Sequence, residues 1–321
     1  MTSALNDTAN PFREALDSQI APRASVARLS FDPLTFAQNF DKRPFYVEHD
    51  LAGHPLLQLP AIAALSERLP KNLLEWNSGQ VGAFTQPERE TPRRHLSCSE
   101  TVLRVGEQPT WVLLLQIEND ERYKRLVDDL LDGVESLSER IRPGMWQRQA
   151  FLFVSSRAAF TPFHFDPEHN FLLQVRGHKT VYMWDPSNRF VLPAAAIDNY
   201  YAGLGSGDPR YANRDQPYRE EFMASAWHLP IKAGEGVHFP LHAPHAVKTE
   251  SDVSISLSIT FRTRRSQSNA MVHGANGHVR RLGVEPPLPG TSRLWDAAAS
   301  VGFRGVRKGF ALAKRLLRVV P

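Results

Sequence analysis

The stretch F-T-P-F-H-F-D-P-E-H-N-F-L-L-Q-V-R-G-H-K-T-V-Y-M-W, Phe160 to Trp184, decides how this chain is read. If Phe163 to Asp166 is extended, His164 and Asp166 sit two positions apart and project from the same face of a strand. An imidazole and a carboxylate aimed at one spot begin a metal site, which needs a third ligand from elsewhere. The best candidate lies in G-E-G-V-H-F-P-L-H-A-P-H-A-V, residues 234–247, where His245 precedes another strand-like run. His169, His238 and His242 compete with it. His169 follows Asp166 by an odd step, and His242 stands between two prolines. Two histidines and one carboxylate on one face of an iron leave the opposite face open, the donor set of non-haem Fe(II) oxygenases. Lys179 follows a Gly177-His178 turn that reads as a hairpin, and a cation there suits the far carboxylate of a dicarboxylic co-substrate.

The run from Thr161 to Lys179, then G-V-H-F-P-L-H-A-P-H from Gly236 to His245, then Ile259, Thr260 and Phe261, resembles the JmjC and cupin-like 2-oxoglutarate oxygenases. The likeness is strongest to bacterial relatives of the asparaginyl hydroxylase that acts on hypoxia-inducible factor. It covers roughly a third of the chain, with the motifs in the family's order. The resemblance implies a mainly β fold with flanking helices around a double-stranded β-helix, the jelly roll of cupins. It selects His245 as the third ligand, so that His164, Asp166 and His245 are the implied catalytic iron ligands. It further implies Lys179, Thr161 and Asn170 as 2-oxoglutarate contacts, with Thr260 near the same pocket. Strict alternation turns Thr161 away from the face of His164, so that contact requires a bulge at Pro162. The implied cofactors are Fe(II), 2-oxoglutarate and dioxygen. The implied reaction couples decarboxylation of 2-oxoglutarate to hydroxylation of a protein or peptide side chain, with demethylation as the same chemistry at an N-methyl group. A small-molecule or envelope substrate is the alternative, and a cupin-type metal- or ligand-binding module without catalysis is the reading from another class. The sequence also departs from the hypoxia-factor hydroxylase: Trp111 to Gln116 offers no tyrosine, and Ala243-Pro244 and Arg262 stand where that family carries aromatics.

Read without the resemblance, a chain of 321 residues accommodates one large β-rich domain with helical additions. Cys98 is the only cysteine, which rules out an intrachain disulfide and suits a reducing compartment. No charged-then-apolar leader opens the sequence, and no apolar run approaches the roughly 18 residues of a spanning helix, so a cytoplasmic location is the expectation.

Residues 1–27 are polar and aperiodic and read as a loosely held arm. The oxygenase domain is expected over 28–270, with helical and strand additions over 28–145 and the barrel core over 146–265. Within the additions, helices are expected near Asp32 to Phe40, Pro60 to Leu69 and Asn119 to Ile141. In the last of these Tyr123, Leu126, Leu130, Val134, Leu137 and Ile141 recur at helical spacing. Beyond Gly144 the segments Ala150–Val154, Phe171–Arg176, Thr180–Trp184, Val237–Phe239 and Val253–Arg262 read as strands. In the last, Ile255, Leu257, Ile259 and Phe261 alternate with Ser256, Ser258, Thr260 and Arg262, so one face is apolar and the other carries hydroxyls. Residues 185–234 form a long insertion expected to wall the substrate entrance. Arg157 and Arg262 are further candidates for a carboxylate, although an arginine flanking a strand is more often a surface charge.

A linker is expected over 271–290 and a basic amphipathic helix over 291–321. Phe303, Val306, Phe310, Ala313, Leu316, Leu317 and Val320 share one arc of a helical wheel, opposite Arg304, Arg307, Lys308, Lys314, Arg315 and Arg318. No acidic residue follows Asp296. Such a helix covers its own domain, pairs with a second subunit or lies on an anionic membrane, which would make the protein peripheral at the inner face. Nucleic acid is a poor fit because no reading module accompanies the charge.

Overall fold

The structure, a computed structural model, describes residues 27–77, 96–205 and 209–317. The expected N-terminal arm lies outside these residues except for Ala27, which is buried in the core. The strands are β1 (Leu29–Ser30), β2 (Phe45–His49), β3 (Leu74–Asn77), β4 (Trp111–Leu114), β5 (Trp146–Ser155), β6 (Phe160–His164), β7 (His169–Arg176), β8 (His178–Met183), β9 (Trp227–Lys232), β10 (Glu235–Phe239), β11 (His245–Thr249) and β12 (Ser254–Arg262). The helices are α1 (Pro33–Asn39), α2 (Leu59–Arg68), α3 (Cys98–Leu103), α4 (Glu121–Ile141), α5 (Ala194–Ala202), α6 (Arg264–Arg280) and α7 (Arg293–Leu317).

Two antiparallel sheets face each other. The larger has the order β1-β2-β10-β7-β12-β5-β4-β3 and the smaller β6-β11-β8-β9. From β5 onward the chain changes sheet at each connection except between β8 and β9, which pair with each other. This alternation winds a double-stranded β-helix with strands β5, β12, β7 and β10 on one wall and the four-stranded sheet on the other. The jelly-roll expectation holds.

The hairpin expected at Gly177-His178 does not form. β7 pairs with β10 and β12, whereas β8 pairs with β11 and β9. Gly177 instead makes the corner between sheets, at φ +78° and so close to the backbone that a Cβ would meet the Val253 carbonyl oxygen at 2.4 Å. Only glycine satisfies both demands.

The alternation in β12 is used on both sides. Ile255, Leu257, Ile259 and Phe261 face a hydrophobic layer completed by Tyr123, Leu126, Val127, Leu130, Leu131 and Val134 of α4. Each leucine so buried contributes about 1.5–3 kcal/mol. The hydroxyl face is equally buried and looks into the barrel, where the interior is lined by Leu172, Val181, Met183, Ile231, Val237, Phe239 and Val247. Buried hydroxyls need partners, and the two serines have them: Ser256 donates to Gln174 Oε1 at 2.7 Å and Ser258 to Asn170 Oδ1 at 2.7 Å.

Two boundaries differ from expectation. Helix α6 crosses position 270 and fills the first half of the expected linker. Its Thr263–Ser266 capping box starts it, and Gly277 lets it approach the Asp198 carbonyl of α5 too closely for any side chain. The 185–234 insertion is no loop either, since it holds α5, two 3-10 turns and β9. Helix α7 docks on α6 through its first turns: Trp295 Nε1 donates to Asn276 Oδ1 at 2.8 Å, and Phe303 is buried against His278. The wheel positions beyond Gly305 fall outside the side chains described. Among the described residues no helix is long and apolar enough to cross a membrane.

Candidate metal centre and co-substrate pocket

His164 ends β6 and His245 begins β11, and the two are register partners across that antiparallel pair. Their rings lie 4.1 Å apart, centroid to centroid. Asp166 sits just beyond β6, with its Oδ1 3.8 Å from His164 Nε2 and its Oδ2 3.7 Å from His245 Nε2. One donor atom from each residue falls within 4.8 Å of the other two. His169, His238 and His242 are not part of this cluster.

Backbone carbonyls fix both rings. His164 Nδ1 lies 2.7 Å from Pro162 O and His245 Nδ1 lies 2.9 Å from Ala243 O. A carbonyl accepts only, so each Nδ1 carries the proton and each Nε2 presents a lone pair. Burial, reinforced by the neighbouring His245, holds His164 well below the usual imidazole range. Burial also lowers His245, against the opposing pull of Asp166. Both rings are therefore neutral at pH 7, the form that ligates a metal.

A cavity of about 250 Å³ opens from these side chains into the barrel. Lys179, Thr161, Asn170 and Thr260 all line it. Thr161 reaches it because the β6–β11 register slips between His164 and Thr161, the bulge that the alternation demanded. Lys179 is 4% exposed, its Nζ lies 5.4 Å from the centre of the Phe153 ring, and no carboxylate among the described residues pairs with it. Burial pushes its ammonium down to about 7. A buried lysine that lines a cavity without a carboxylate partner among the described residues is suited to receive an anion.

Asn170 has a more specific position than a general lining residue. Its Nδ2 donates to Asp166 Oδ2 at 2.9 Å while its Oδ1 accepts from Ser258. It thus orients the carboxylate of the centre. Thr260 Oγ1 lies 3.5 Å from Gln149 O, a contact too long to tie the hydroxyl down.

Several cavity residues carry no motif. Tyr200, Asn213 and Arg214 come from the 185–234 insertion, which supplies one wall. Asn213 Nδ2 donates to Phe165 O at 2.9 Å and so pins the chain beside Asp166. Glu168 also faces the cavity, where Arg262 holds one of its oxygens; burial raises its carboxyl and Arg262 opposes the rise. Arg262 is therefore a half-buried partner of Glu168, whereas Arg157 pairs with Asp252 at the surface.

The family model for the cupin-like domain matches residues 76–267, well over half of the chain. The chain belongs to the cupin-like domain family. A curated relative is the lysine-specific demethylase JMJ31 of Arabidopsis thaliana, which is 24% identical over 133 residues. That match takes in 40% of this chain and 24% of JMJ31, so the chain spans about a quarter of the length of the curated relative. The solved structure of ycfD from E. coli superposes with a TM-score of 0.50 at 13% identity, over 87% of this chain and 68% of that one. At that identity the likeness bears on the fold alone. A second structure, described as YcfD, a ribosomal oxygenase from Escherichia coli, superposes with a TM-score of 0.46 at 13% identity, covering 87% and 66% of the two chains. Within the span of the family match, then, the His164–Asp166–His245 cluster and Lys179 line one cavity.

Proposed function

We propose that this cupin-like domain is an Fe(II)- and 2-oxoglutarate-dependent oxygenase that hydroxylates an amino-acid side chain of a protein or peptide. The observation that carries the reading is the joint placement of a two-histidine, one-carboxylate cluster and an unpaired buried Lys179 in one cavity.

The donor set fits iron: two neutral imidazoles with their Nε2 lone pairs free, and a carboxylate. His164, Asp166 and His245 would hold the metal. Lys179 would pair with the distal carboxylate of 2-oxoglutarate, a charge-assisted contact strengthened by the dry surroundings. The hydroxyls of Thr161 and Thr260 face the same volume and would donate to that carboxylate. Asn170 keeps Asp166 turned toward the histidines. Leu113, Phe151, Phe153 and Leu172 wall the cavity and exclude water from the reacting atoms. When bound, Fe(II) with 2-oxoglutarate and dioxygen supplies oxidative decarboxylation coupled to insertion of one oxygen atom into a C–H bond. No residue has to act as an acid or a base in that C–H step. The protein's contribution is holding, aiming and drying.

A relative named for lysine demethylation supports a protein side chain as acceptor, and hydroxylation of an N-methyl group is the same chemistry. The insertion wall of Tyr200, Asn213 and Arg214 is where the acceptor would lie. Against a non-catalytic cupin stands the ligand count: three protein ligands leave positions open for reactants.

The test is turnover. Succinate should form from 2-oxoglutarate in the presence of Fe(II) and air, and should be lost in His245→Ala and in Lys179→Met. Succinate formation that survives His245→Ala sinks the proposal.

A further inference from the structure

The Asp166 loop and the loop that leads into His245 are tied together by residues that do not line the cavity. The tie starts at His242, a non-glycine residue in the left-handed region at φ +62°. That conformation is uncommon for a residue with a Cβ and is maintained only where surrounding contacts favour it. Here the backbone N–H of His242 donates to Asp166 O at 3.1 Å, joining the loop that supplies Asp166 to the loop that supplies His245. Ala243, the next residue, is the one whose carbonyl orients the His245 ring. The side chain of His242 is held as well: its Nε2 lies 2.8 Å from the hydroxyl of Tyr201. The same hydroxyl is 3.4 Å from Pro167 O, directly after Asp166. Tyr201 thus touches both loops at once.

Tyr201 is itself anchored from behind. It belongs to α5 and stacks on His273 of α6 with the rings 5.6 Å apart and 13° from parallel. His273 Nδ1 lies 2.6 Å from Asp198 Oδ1, and Arg280 Nε donates to Asp198 Oδ2 at 2.7 Å. Asp198 is fully buried, so both contacts are made away from water. The chain of contacts runs from a buried ion pair between α5 and α6, through Tyr201, to the backbone on either side of a metal ligand.

We propose that Tyr201 and His242 are positioning residues for the metal centre: their hydrogen bond clamps the Asp166 loop to the His245 loop and sets the separation of the carboxylate and the imidazole. This rests on the metal-binding reading above. The clamp contacts no ligand side chain and does not line the cavity, so it acts through loop geometry. Groups that hydrogen-bond metal ligands directly are worth about 10- to 100-fold in metal affinity, and a clamp one contact further out belongs at the low end of that range.

The experiment measures Mn(II) affinity by the loss of the free-ion EPR signal, without 2-oxoglutarate and without turnover. Wild-type binding that disappears in His164→Ala establishes the centre; its absence would overturn the metal reading itself. On that footing Tyr201→Phe, which deletes one oxygen, should weaken Mn(II) binding about tenfold. His242→Phe should do the same, and the double variant should be no worse than either single, because one bond is lost in all three. The control is Tyr123→Phe, which removes another buried hydroxyl bond, 2.7 Å to Leu56 O. Both tyrosine variants should lower the melting temperature, but only Tyr201→Phe should lower metal affinity. Wild-type affinity in Tyr201→Phe, or an equal loss in Tyr123→Phe, overturns the positioning role while leaving the centre intact.

Discussion

His245 Nε2 lies 3.7 Å from Asp166 Oδ2, although β7, β8, the whole insertion and β10 separate the two residues along the chain. The jelly-roll winding makes this so, because it returns β11 to the side of β6 after visiting the other wall. A centre assembled in this way is rigid where the strands are paired and adjustable where Asp166 leaves β6. The mutational expectations divide along that line.

Asn170 gives the first. It binds Asp166 and Ser258 simultaneously, so Asn170→Ala frees the carboxylate without touching either histidine. Metal affinity should fall about tenfold, with a smaller change in the apparent KM for 2-oxoglutarate measured at saturating Fe(II). A large KM change with unaltered metal affinity would make Asn170 a co-substrate contact instead.

Lys179 predicts a pH dependence. Its ammonium is lowered by burial from 10.5 to about 7, so between those values the unfolded chain holds a proton that the folded apo-protein lacks. Apo stability attributable to this residue therefore rises with pH from about 7 toward 10.5. Binding a dicarboxylate restores the proton. Above pH 7, 2-oxoglutarate affinity should fall by about tenfold per pH unit, with up to about one proton taken up from buffer. Calorimetry at pH 8 in phosphate and in Tris measures that uptake, and it should vanish in Lys179→Met.

His169 and His238 predict acid sensitivity. Both are buried in an aromatic stack with Phe40, and both His238 nitrogens lack a partner among the described residues. Burial lowers His169 to about 4 and His238 well below its usual 6.5. The unfolded chain binds protons near 6.5 that the folded one refuses, so this contribution is fully present above pH 6.5 and is lost as pH falls toward 4. Each such histidine costs up to about 1.4 kcal/mol per pH unit in that window. Urea midpoints at pH 7.5 and pH 5 should differ less in His238→Phe than in the wild type.

Much of this architecture is legible in the sequence, and what is not has a physical reason. The β12 alternation and the α4 periodicity are local patterns found where their periods predict, whereas the H-x-D pair converges although Asp166 lies beyond the strand that ends at His164. Pairing partners are not local. The turn at Gly177 is readable, but whether its flanking strands pair depends on β11 and β12, which alternation does not report. Helix α6 is concealed by its composition: Gly274, Gly277, Asn269 and Asn276 are poor helix formers, and buried His273 and Asn276 blur any apolar face. Tyr200, Asn213, Arg214 and Glu168 reach the cavity without a motif to announce them. The competing histidines separate only in three dimensions, His169 and His238 into an aromatic stack and His242 into a loop clamp.

An anaerobic optical titration with Fe(II) tests the central claim most directly. A visible charge-transfer band should develop only when both Fe(II) and 2-oxoglutarate are present, and it should be absent in His164→Ala. No band in the wild-type protein, or a band of equal strength in His164→Ala, would contradict the account.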